Sequence, residues 1–195
     1  MGYSIIFYYF CLHSNILIRL RYFIKHTVLT LCGVLLFSSF KQNYDINAKI
    51  KAVYIYNLTR YFEWPESAKS GNFIIQIVGN ASSLIKELND NVVSKKTIGG
   101  QKIELINSDK IDKNKIPHIV YITPESSSKI KNIASEVKNK GTLLITEQDG
   151  AAKTFAVINF VVIDNKQKFE YNKQNAIKYG LKASEDIKQL ASAVY

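Results

Sequence analysis

The stretch NFIIQIVGN, Asn72 to Asn80, decides the fold of this 195-residue chain. It is a short, nearly uninterrupted apolar run rich in isoleucine, which is typical of a β-strand that is buried on both faces. Two more runs of this kind follow it, HIVYITPES (His118 to Ser126) and TLLIT (Thr142 to Thr146). Strands that are buried on both faces occur in parallel sheets covered by helices, so the three runs predict an α/β fold.

The segments between these runs change to helical periodicity. SSLIKELNDNV (Ser82 to Val92) predicts a helix whose serines cap its start, and SSKIKNIASEVKNKG (Ser127 to Gly141) predicts a second serine-capped helix that its glycine ends. KKTIGGQKIELINS (Lys95 to Ser108) predicts an extended segment that turns near Gly99 and Gly100. The alternation of strands and helices predicts a mostly parallel sheet with flanking helices.

The C-terminal part of the chain has a different pattern. AVINFVVIDNKQKFEYN (Ala156 to Asn172) predicts a β-hairpin that turns at Asp164 to Lys166 and adds antiparallel strands. Residues 173–195 predict a C-terminal helix that Gly180 interrupts or bends. We therefore expect one α/β domain, with a mostly parallel mixed sheet, flanking helices and a C-terminal β-hairpin plus helix.

An amphipathic helix is predicted before the first strand. Asp45 or Asn47 is suited to cap its start, and Pro65 is expected to end it after Trp64. The residues spaced for one buried helical face are Ile50, Tyr54, Asn57, Leu58 and Tyr61.

The second half of this helix, YNLTRYFEWP (Tyr56 to Pro65), has two interpretations. In the first, Trp64 packs against the first strand and has a core role. In the second, Trp64 joins Tyr56, Arg60 and Glu63, the residues expected to be exposed, in a partner-binding surface. Aromatic residues and arginine dominate interface hot spots, so these four are the predicted partner-binding residues.

The first forty residues are typical of a signal peptide. RLRYFIKH (Arg19 to His26) is basic, TVLTLCGVLLFSSF (Thr27 to Phe40) is apolar, and polar residues follow. The apolar run is shorter than the roughly 20 residues that span a membrane, so removal is favoured over a retained anchor. The opening is unusual for a signal peptide, and a start downstream of Met1 stays open. We expect residues 41–195 to form the exported domain, which places the protein in the periplasm.

The composition argues against thiol-dependent functions and against nucleic-acid binding. Cys11 and Cys32 both lie in the predicted signal peptide, so the exported domain has no thiol for a disulfide, a nucleophile or a metal ligand. The formal charge is +10, but the lysines are scattered and Arg60 is the only arginine beyond residue 40. Nucleic-acid sites usually cluster arginine with aromatic residues, so we expect no nucleic-acid partner.

Catalytic and cofactor motifs are weak. His118 is the only histidine beyond residue 40, and its setting IPHIV supplies no orienting carboxylate, so a structural histidine is predicted. No Gly-x-Ser-x-Gly pattern surrounds Ser126–Ser128, and the single Gly79 lacks the further glycines of a phosphate loop. We predict no catalytic residues, no cofactor and no metal, with a cryptic hydrolase that uses serine and His118 as the weakest alternative.

Six segments in this order form a recognisable set: KAVYIYNLTRYFEWP (Lys51 to Pro65), FIIQIVGN (Phe73 to Asn80), KTIGGQKIEL (Lys96 to Leu105), PHIVYIT (Pro117 to Thr123), TLLITEQDGAA (Thr142 to Ala152) and INFVVIDNKQKFEYNKQNAIKYGLKAS (Ile158 to Ser184). From about Ala48 to the C-terminus, the chain resembles the YfiR-like family of small periplasmic regulatory proteins. The most specific parts are Glu63-Trp64-Pro65 and the closing segment that contains Phe169, Glu170, Tyr171, Asn172, Ala176, Gly180 and Leu181.

The resemblance implies a periplasmic α/β domain without catalytic activity. The namesake role of the family is to bind the periplasmic sensor part of an inner-membrane diguanylate cyclase and hold it inactive, so that cyclic di-GMP falls. The resemblance thus implies a non-enzymatic regulator whose partner is an inner-membrane sensor protein such as a diguanylate cyclase or kinase. It also implies a homodimer as one arrangement of the chain.

The alternative function is a periplasmic small-ligand-binding module. Open α/β sheets bind ligands in crevices at the carboxyl ends of their strands. The residues that follow the predicted strands, and that would lie near one rim, are Gly79, Asn80, Thr123, Thr146 and Glu147.

Overall fold

The computed structural model describes residues 46–195, and an eight-stranded sheet forms their centre. The predicted signal peptide, residues 1–40, and Asp45, one of the two residues predicted to cap the first helix, lie outside the described residues. No helix within residues 46–195 is long and apolar enough to cross a membrane.

The strands of the described part are β1 (Phe62–Glu63), β2 (Phe73–Val78), β3 (Thr97–Ile98), β4 (Gln101–Asn107), β5 (Ile119–Ile122), β6 (Leu143–Thr146), β7 (Ile158–Ile163), β8 (Lys166–Tyr171), β9 (Lys182–Ala183) and β10 (Ala193–Val194). The α-helices are α1 (Ile46–Leu58), α2 (Ser82–Leu88), α3 (Ile130–Glu136), α4 (Ala151–Thr154), α5 (Lys173–Lys178) and α6 (Ile187–Leu190).

The large sheet has the strand order β10-β8-β7-β6-β5-β2-β4-β3. Strands β4, β2, β5, β6 and β7 are parallel, whereas β8 is antiparallel to β7 and β3 is antiparallel to β4. The predicted α/β class, with its mostly parallel mixed sheet and C-terminal hairpin, is therefore confirmed.

The strand order reverses between β2 and β5. From β2 the chain proceeds through α2 to β4 on one side, and it then returns to form β5 and β6 on the other side. Helices that leave neighbouring strands in opposite directions open a crevice between their carboxyl ends. This reversal fixes the position of the candidate ligand site described below.

Burial on both faces explains the apolar runs. Every residue of β2, β5 and β6 is buried, and Ile75, Ile119 and Ile145 are completely inaccessible to solvent. Each fully buried aliphatic side chain of this size contributes about 1.5–3 kcal/mol relative to an exposed one. The three segments therefore form the central strands because water is excluded from both of their faces.

The predicted hairpin turn is confirmed. Asp164 and Asn165 lie between β7 and β8, and both have left-handed backbone angles, with φ of 51° and 56°. Two successive residues with positive φ form the turn whose twist matches that of antiparallel strands, and asparagine and aspartate tolerate this conformation better than most residues.

The predicted extent of the first helix is wrong. Helix α1 ends at Leu58, a 3₁₀ turn covers Thr59–Tyr61, and the chain then forms β1, which pairs with β9. Phe62 and Trp64 are buried while Glu63 between them is exposed, which is the alternation of a strand. The burial of two large aromatic side chains at a two-residue spacing prevents the helix from continuing to Pro65.

The predicted buried face of this helix is also partly wrong. Leu58 is buried as expected, but Asn57 is exposed, and Ile50, Tyr54 and Tyr61 are half-buried. The buried face instead contains two alanines that permit close packing; its members are Ala48, Ala52, Ile55 and Leu58.

The predicted serine caps are wrong as well. Helix α2 begins after Ala81 without a side-chain cap, and a 3₁₀ segment, Pro124–Lys129, leads into α3 without one. A side-chain cap does occur at Asn172, whose Oδ1 accepts the backbone N–H of Asn175 at 2.8 Å.

The predicted C-terminal helix is divided into short elements. Gly180, with φ of 80°, ends α5 and so interrupts the segment as expected. The chain then forms β9, α6 and β10, because its backbone pairs with other parts of the domain: Ala193 and Val194 lie beside Glu170 and Tyr171 of β8.

Asn172→Ala tests the importance of this cap. The change removes the cap and the hydrogen bond from Asn172 Nδ2 to the carbonyl of Ala152, which is 2.7 Å long and buried. We expect the free energy of unfolding to fall by about 1–3 kcal/mol in urea titrations.

Asn57→Ala is the matched control, because Asn57 is exposed on α1. Its free energy of unfolding should change by no more than about 0.5 kcal/mol. Equal effects of the two substitutions would contradict the assignment of Asn172 as a cap.

Candidate functional site

A crevice of about 310 Å³ lies at the carboxyl ends of β2, β5 and β6, where the strand order reverses. Helix α1 and the loops that follow the three strands supply its walls. The lining residues are Ala48, Lys51, Asn80–Leu84, Tyr121, Thr123–Glu125 and Glu147.

An ion pair joins α1 to this end of the sheet. Lys51 Nζ lies 2.7 Å from the Glu147 carboxylate, and the two side chains are only 21% and 14% exposed. The hydroxyl of Tyr121 donates a hydrogen bond to the same carboxylate. Burial, and then the charge of Glu147, raise the pKa of Tyr121, so its hydroxyl remains a neutral donor. Glu147 is therefore held between a cation and a buried hydroxyl.

A second polar group lies beside this cluster. Thr123 is 3% exposed, and its Oγ1 has no hydrogen-bond partner with full bonding geometry among the described residues. The backbone N–H of Glu125, and then the nearby Thr123 hydroxyl, lower the pKa of the Glu125 carboxyl, so Glu125 is ionised at neutral pH. The crevice is thus lined by Lys51, two carboxylates and the buried Thr123.

Gly79 lies directly against Thr123, beside the crevice. Its φ is 98°, and a Cβ at this position would lie 2.2 Å from Thr123 Oγ1 and 2.4 Å from Ser126 Oγ. Any other residue would force apart the turns that follow β2 and β5. Glycine is required here both by the positive φ and by the close approach.

Most of the residues predicted to lie near one rim of the sheet do lie at the crevice. Asn80, Thr123 and Glu147 line the crevice, and Gly79 borders it through its contact with Thr123. Thr146 does not line it: its side chain is buried, and its Oγ1 donates to Asn159 Oδ1 at 2.7 Å.

Lys51 was not predicted as a site residue. Its position on α1 gave no sign that it pairs with a residue 96 positions later in the chain.

His118 lies at the opposite end of the sheet, just before β5. Its Nδ1 accepts the backbone N–H of Ile74 at 3.0 Å, and its Nε2 lies 2.6 Å from the carbonyl oxygen of Ala68. Its ring stacks on Phe73 with a centroid distance of 4.3 Å. Burial lowers the pKa of His118, and the Ala68 carbonyl opposes this effect. The prediction of a structural histidine is confirmed, since both ring nitrogens are engaged with the backbone.

The serine segment does not meet this histidine. Ser126–Ser128 follow the carboxyl end of β5, whereas His118 precedes its amino end. A hydrolase that uses Ser126–Ser128 with His118 therefore lacks the nucleophile–base contact that it requires. Within residues 46–195, no group of three or more His, Cys, Asp or Glu side chains has a metal-binding arrangement.

The predicted partner-binding residues lie around the end of α1. Arg60 and Glu63 are exposed and Tyr56 is half-buried, with the Arg60 guanidinium 5.7 Å from the centre of the Tyr56 ring. Glu63 pairs with Lys182 of β9 at 3.4 Å. These contacts place a cation, an aromatic ring and an ion pair in one region of the surface.

Trp64 lies beneath this surface. It is 7% exposed, its ring packs edge-on against Phe73 at 5.0 Å, and its Nε1 donates to the carbonyl of His118 at 3.3 Å. The expected packing of Trp64 against the first strand is therefore confirmed. Because Trp64 is buried, it has little exposed area for the direct partner contact that the sequence predicted.

Sequence reasoning missed two exposed apolar residues on α1. Ile46 is 62% exposed and Val53 is 49% exposed. Spacings of seven residues place both on the same helical face as the position that Arg60 occupies just beyond the helix. This spacing is visible in the sequence. Apolar helix residues are usually buried, however, so neither residue was predicted to lie on the surface.

Lowering the pH should destabilise the domain through His118. Its pKa is lowered in the folded state, so this contribution to stability is present above the unfolded-state pKa of about 6.5 and is lost as the pH falls below it. Urea unfolding from about pH 7.5 to about pH 5 should show this loss.

His118→Asn supplies the comparison. It should be less stable than the wild type at neutral pH, but its stability should depend less on pH, because no imidazole is left to protonate. An unchanged pH dependence in this variant would contradict the assignment.

Comparison with protein families identifies one match. A family model described as YfiR/HmsC-like matches residues 48–192, which is most of the chain. A search of curated proteins found no match.

Proposed function

Because this chain belongs to the YfiR/HmsC-like family, we propose that it is a non-enzymatic periplasmic regulator that binds a membrane signalling protein. The family assignment supports a regulatory role in cyclic di-GMP signalling. The observation that carries the proposal is the composition of the exposed side of α1 and β1, named here the α1 surface: Ile46, Val53, Tyr56, Arg60 and Glu63.

The α1 surface has the chemistry of a docking site. Val53 supplies exposed apolar area, and Arg60 with Tyr56 supplies the residue types that are most enriched in interface hot spots. Glu63, paired with Lys182, adds exposed charged groups of the kind that form the polar rim of an interface. A partner that covers this surface would bury the apolar side chains and keep its charged groups at the solvent boundary.

Periplasmic location is supported by the first forty residues. A basic segment followed by an apolar run that is short for a membrane span is the pattern of an exported precursor. The exported domain in this proposal is residues 41–195, and its cysteine-free sequence folds without disulfides.

The proposed partner is an inner-membrane sensor protein such as a diguanylate cyclase or kinase. Binding would repress a cyclase if the regulator has higher affinity for the inactive sensor conformation than for the active one, since equal affinity for both shifts nothing. Cyclic di-GMP would then fall while the complex persists. A homodimer is compatible with this scheme, in which each copy presents one α1 surface.

A periplasmic small-ligand-binding module is the second candidate function. The specific observation in its favour is the crevice at the reversal of strand order, which three of the five predicted rim residues line. A regulator and a ligand-binding module are not exclusive, because a ligand can bias which partner conformation the regulator prefers.

A double substitution in the α1 surface, Val53→Asp with Arg60→Ala, tests the protein-contact proposal. Envelopes would be crosslinked, the regulator captured, and the co-purified membrane proteins identified by mass. We expect the variant to lose at least about ten-fold of its captured partner, because the apolar centre and the arginine of the surface are both removed. Cellular cyclic di-GMP should rise to the level of a strain that lacks the regulator.

Ile177→Asp is the matched control, since Ile177 is an apolar residue that is 58% exposed on α5. It should retain the partner and normal cyclic di-GMP. Unfolding titrations should show that both variants keep the wild-type fold. Capture of the same partner by the α1-surface variant at wild-type yield would exclude the α1 surface as the docking site.

A further inference from the structure

We propose that the open edge of β4 binds an extended, acidic segment of another protein, which would add one strand to the large sheet. The inference goes beyond the proposed function, because this edge contains no residue of the α1 surface. Binding of such a segment is a property of the purified protein and does not require the membrane partner.

The outer side of β4 is only partly covered. Strand β3 pairs with β4 at Gln101 and Lys102 alone. Residues 103–107 pair with β2 on their inner side, and no strand within residues 46–195 lies beside them on their outer side. Residues 103–107 are therefore an open stretch of the sheet, named here the β4 edge.

The β4 edge presents unpaired backbone groups. Successive residues of a strand direct their N–H and C=O groups to opposite sides. The N–H of Ser108 donates to the carbonyl of Ile77 in β2 at 3.1 Å, so Leu105 and Asn107 direct their backbone groups outwards. No hydrogen bond from the described part of the chain reaches these outward groups. Such a row of free donors and acceptors is a template for one more strand.

The side chains of the β4 edge supply apolar contacts on both faces of the sheet. Leu105 and Ile106 are both half-buried, so each keeps part of its aliphatic surface accessible. Neighbouring side chains of a strand point to opposite faces. An added strand would therefore meet one aliphatic side chain on each face, in addition to the backbone hydrogen bonds.

The charges around the β4 edge determine which segment fits. Lys96 precedes β3, Lys102 lies on β4 and Lys110 follows it, and all three are exposed. No carboxylate among the described residues forms an ion pair with them, whereas the acids of the same region, Glu104 and Asp109, are paired with other lysines. Positive charge thus lies near both ends of the β4 edge, which favours a segment that carries aspartate or glutamate.

A second copy of this chain fits the β4 edge less well. It would bring the same lysines towards the edge, and lysine beside an open edge opposes pairing between identical chains. Antiparallel pairing with Leu105 opposite its own equivalent would also place Ser108 of one copy opposite Lys102 of the other. That position is already held by Thr97 of β3.

The test uses protein purified from cells that express the full chain, with synthetic peptides as probes. The acidic probe is the acetylated and amidated peptide EDVTVDE, and the basic comparison is KKVTVKK. A third peptide is the acidic probe with N-methyl groups on its valines and threonine, which removes the N–H donors that a strand needs. The acidic probe should bind at least about ten-fold more tightly than either comparison. Amide hydrogen exchange at Leu105 and Asn107 should slow when it binds.

Leu105→Pro removes one outward N–H of the β4 edge. Proline is tolerated in an edge strand where its missing N–H faces solvent, so the bonds to β2 are kept. Leu105→Ala is the matched control, because it loses the same side chain but keeps the N–H. The proline variant should bind the acidic probe at least about ten-fold more weakly than the alanine variant.

A pair of charge reversals, Lys96→Glu with Lys102→Glu, tests the choice of an acidic segment without changing the backbone. The pair should weaken binding of the acidic probe at least about ten-fold. The control pair, Lys131→Glu with Lys138→Glu, makes the same change in net charge at exposed positions in and just after α3, and it should bind normally.

Four results would overturn the proposal: no binding of the acidic probe at about 1 mM, equal binding of the acidic and N-methylated peptides, equal binding by the two lysine pairs, or binding without protection of Leu105 and Asn107. Protection of the same amides that rises with protein concentration in the absence of peptide would assign the β4 edge to a second copy instead. The peptide and lysine comparisons remain decisive if Leu105→Pro does not fold. None of these results depends on the membrane partner, so they are distinguishable from a failure of the docking experiment.

Discussion

The exclusion of water from both faces of β2, β5 and β6 is the constraint on which the rest of this domain depends. Strands of this kind need helices on both sides, and parallel strands need crossover connections, so the chain must alternate strand and helix. Because the crossovers leave β2 and β5 in opposite directions, the carboxyl ends of these strands form a crevice. The position of the polar site is thus a consequence of how the apolar core is buried.

One half-buried ion pair links that crevice to the surface proposed to bind a partner. Lys51 ties α1 to Glu147 at the end of β6, and Tyr121 holds the carboxylate from within the core. Exposed ion pairs contribute little to stability, but this pair is mostly shielded from solvent, where charges interact more strongly. Any ligand that changes the partners of Lys51 acts on the helix that also contains Val53.

The elements that were predicted correctly from the sequence are those that a local residue pattern determines. The three apolar strands and the turn at Asp164 and Asn165 follow from residues close together in the chain. A structural role for His118 was predicted because its neighbours supply no carboxylate, but the groups that bind its ring, Ile74 and Ala68, are distant in the chain. The end of α1 could not be predicted in this way, because β1 exists through its pairing with β9, about 120 residues later. The position of the crevice was predicted from the rule that ligands bind at the carboxyl ends of parallel strands. Two of its details were not predicted: Thr146 bonds to Asn159 and does not line the crevice, and Lys51 of α1 does line it. The family match over residues 48–192 confirms the resemblance carried by the ordered segments.

The central claim is that the α1 surface contacts a membrane signalling protein. The most direct measurement places a photoreactive amino acid at position 53 in living cells, crosslinks by illumination and identifies the product by mass. A second strain would carry the same group at the exposed position 177 on α5. The proposal predicts a crosslink from position 53, and not from position 177, to an inner-membrane protein with a periplasmic sensor region. Crosslinks from position 53 only to soluble proteins, or the same membrane protein from both positions, would contradict it.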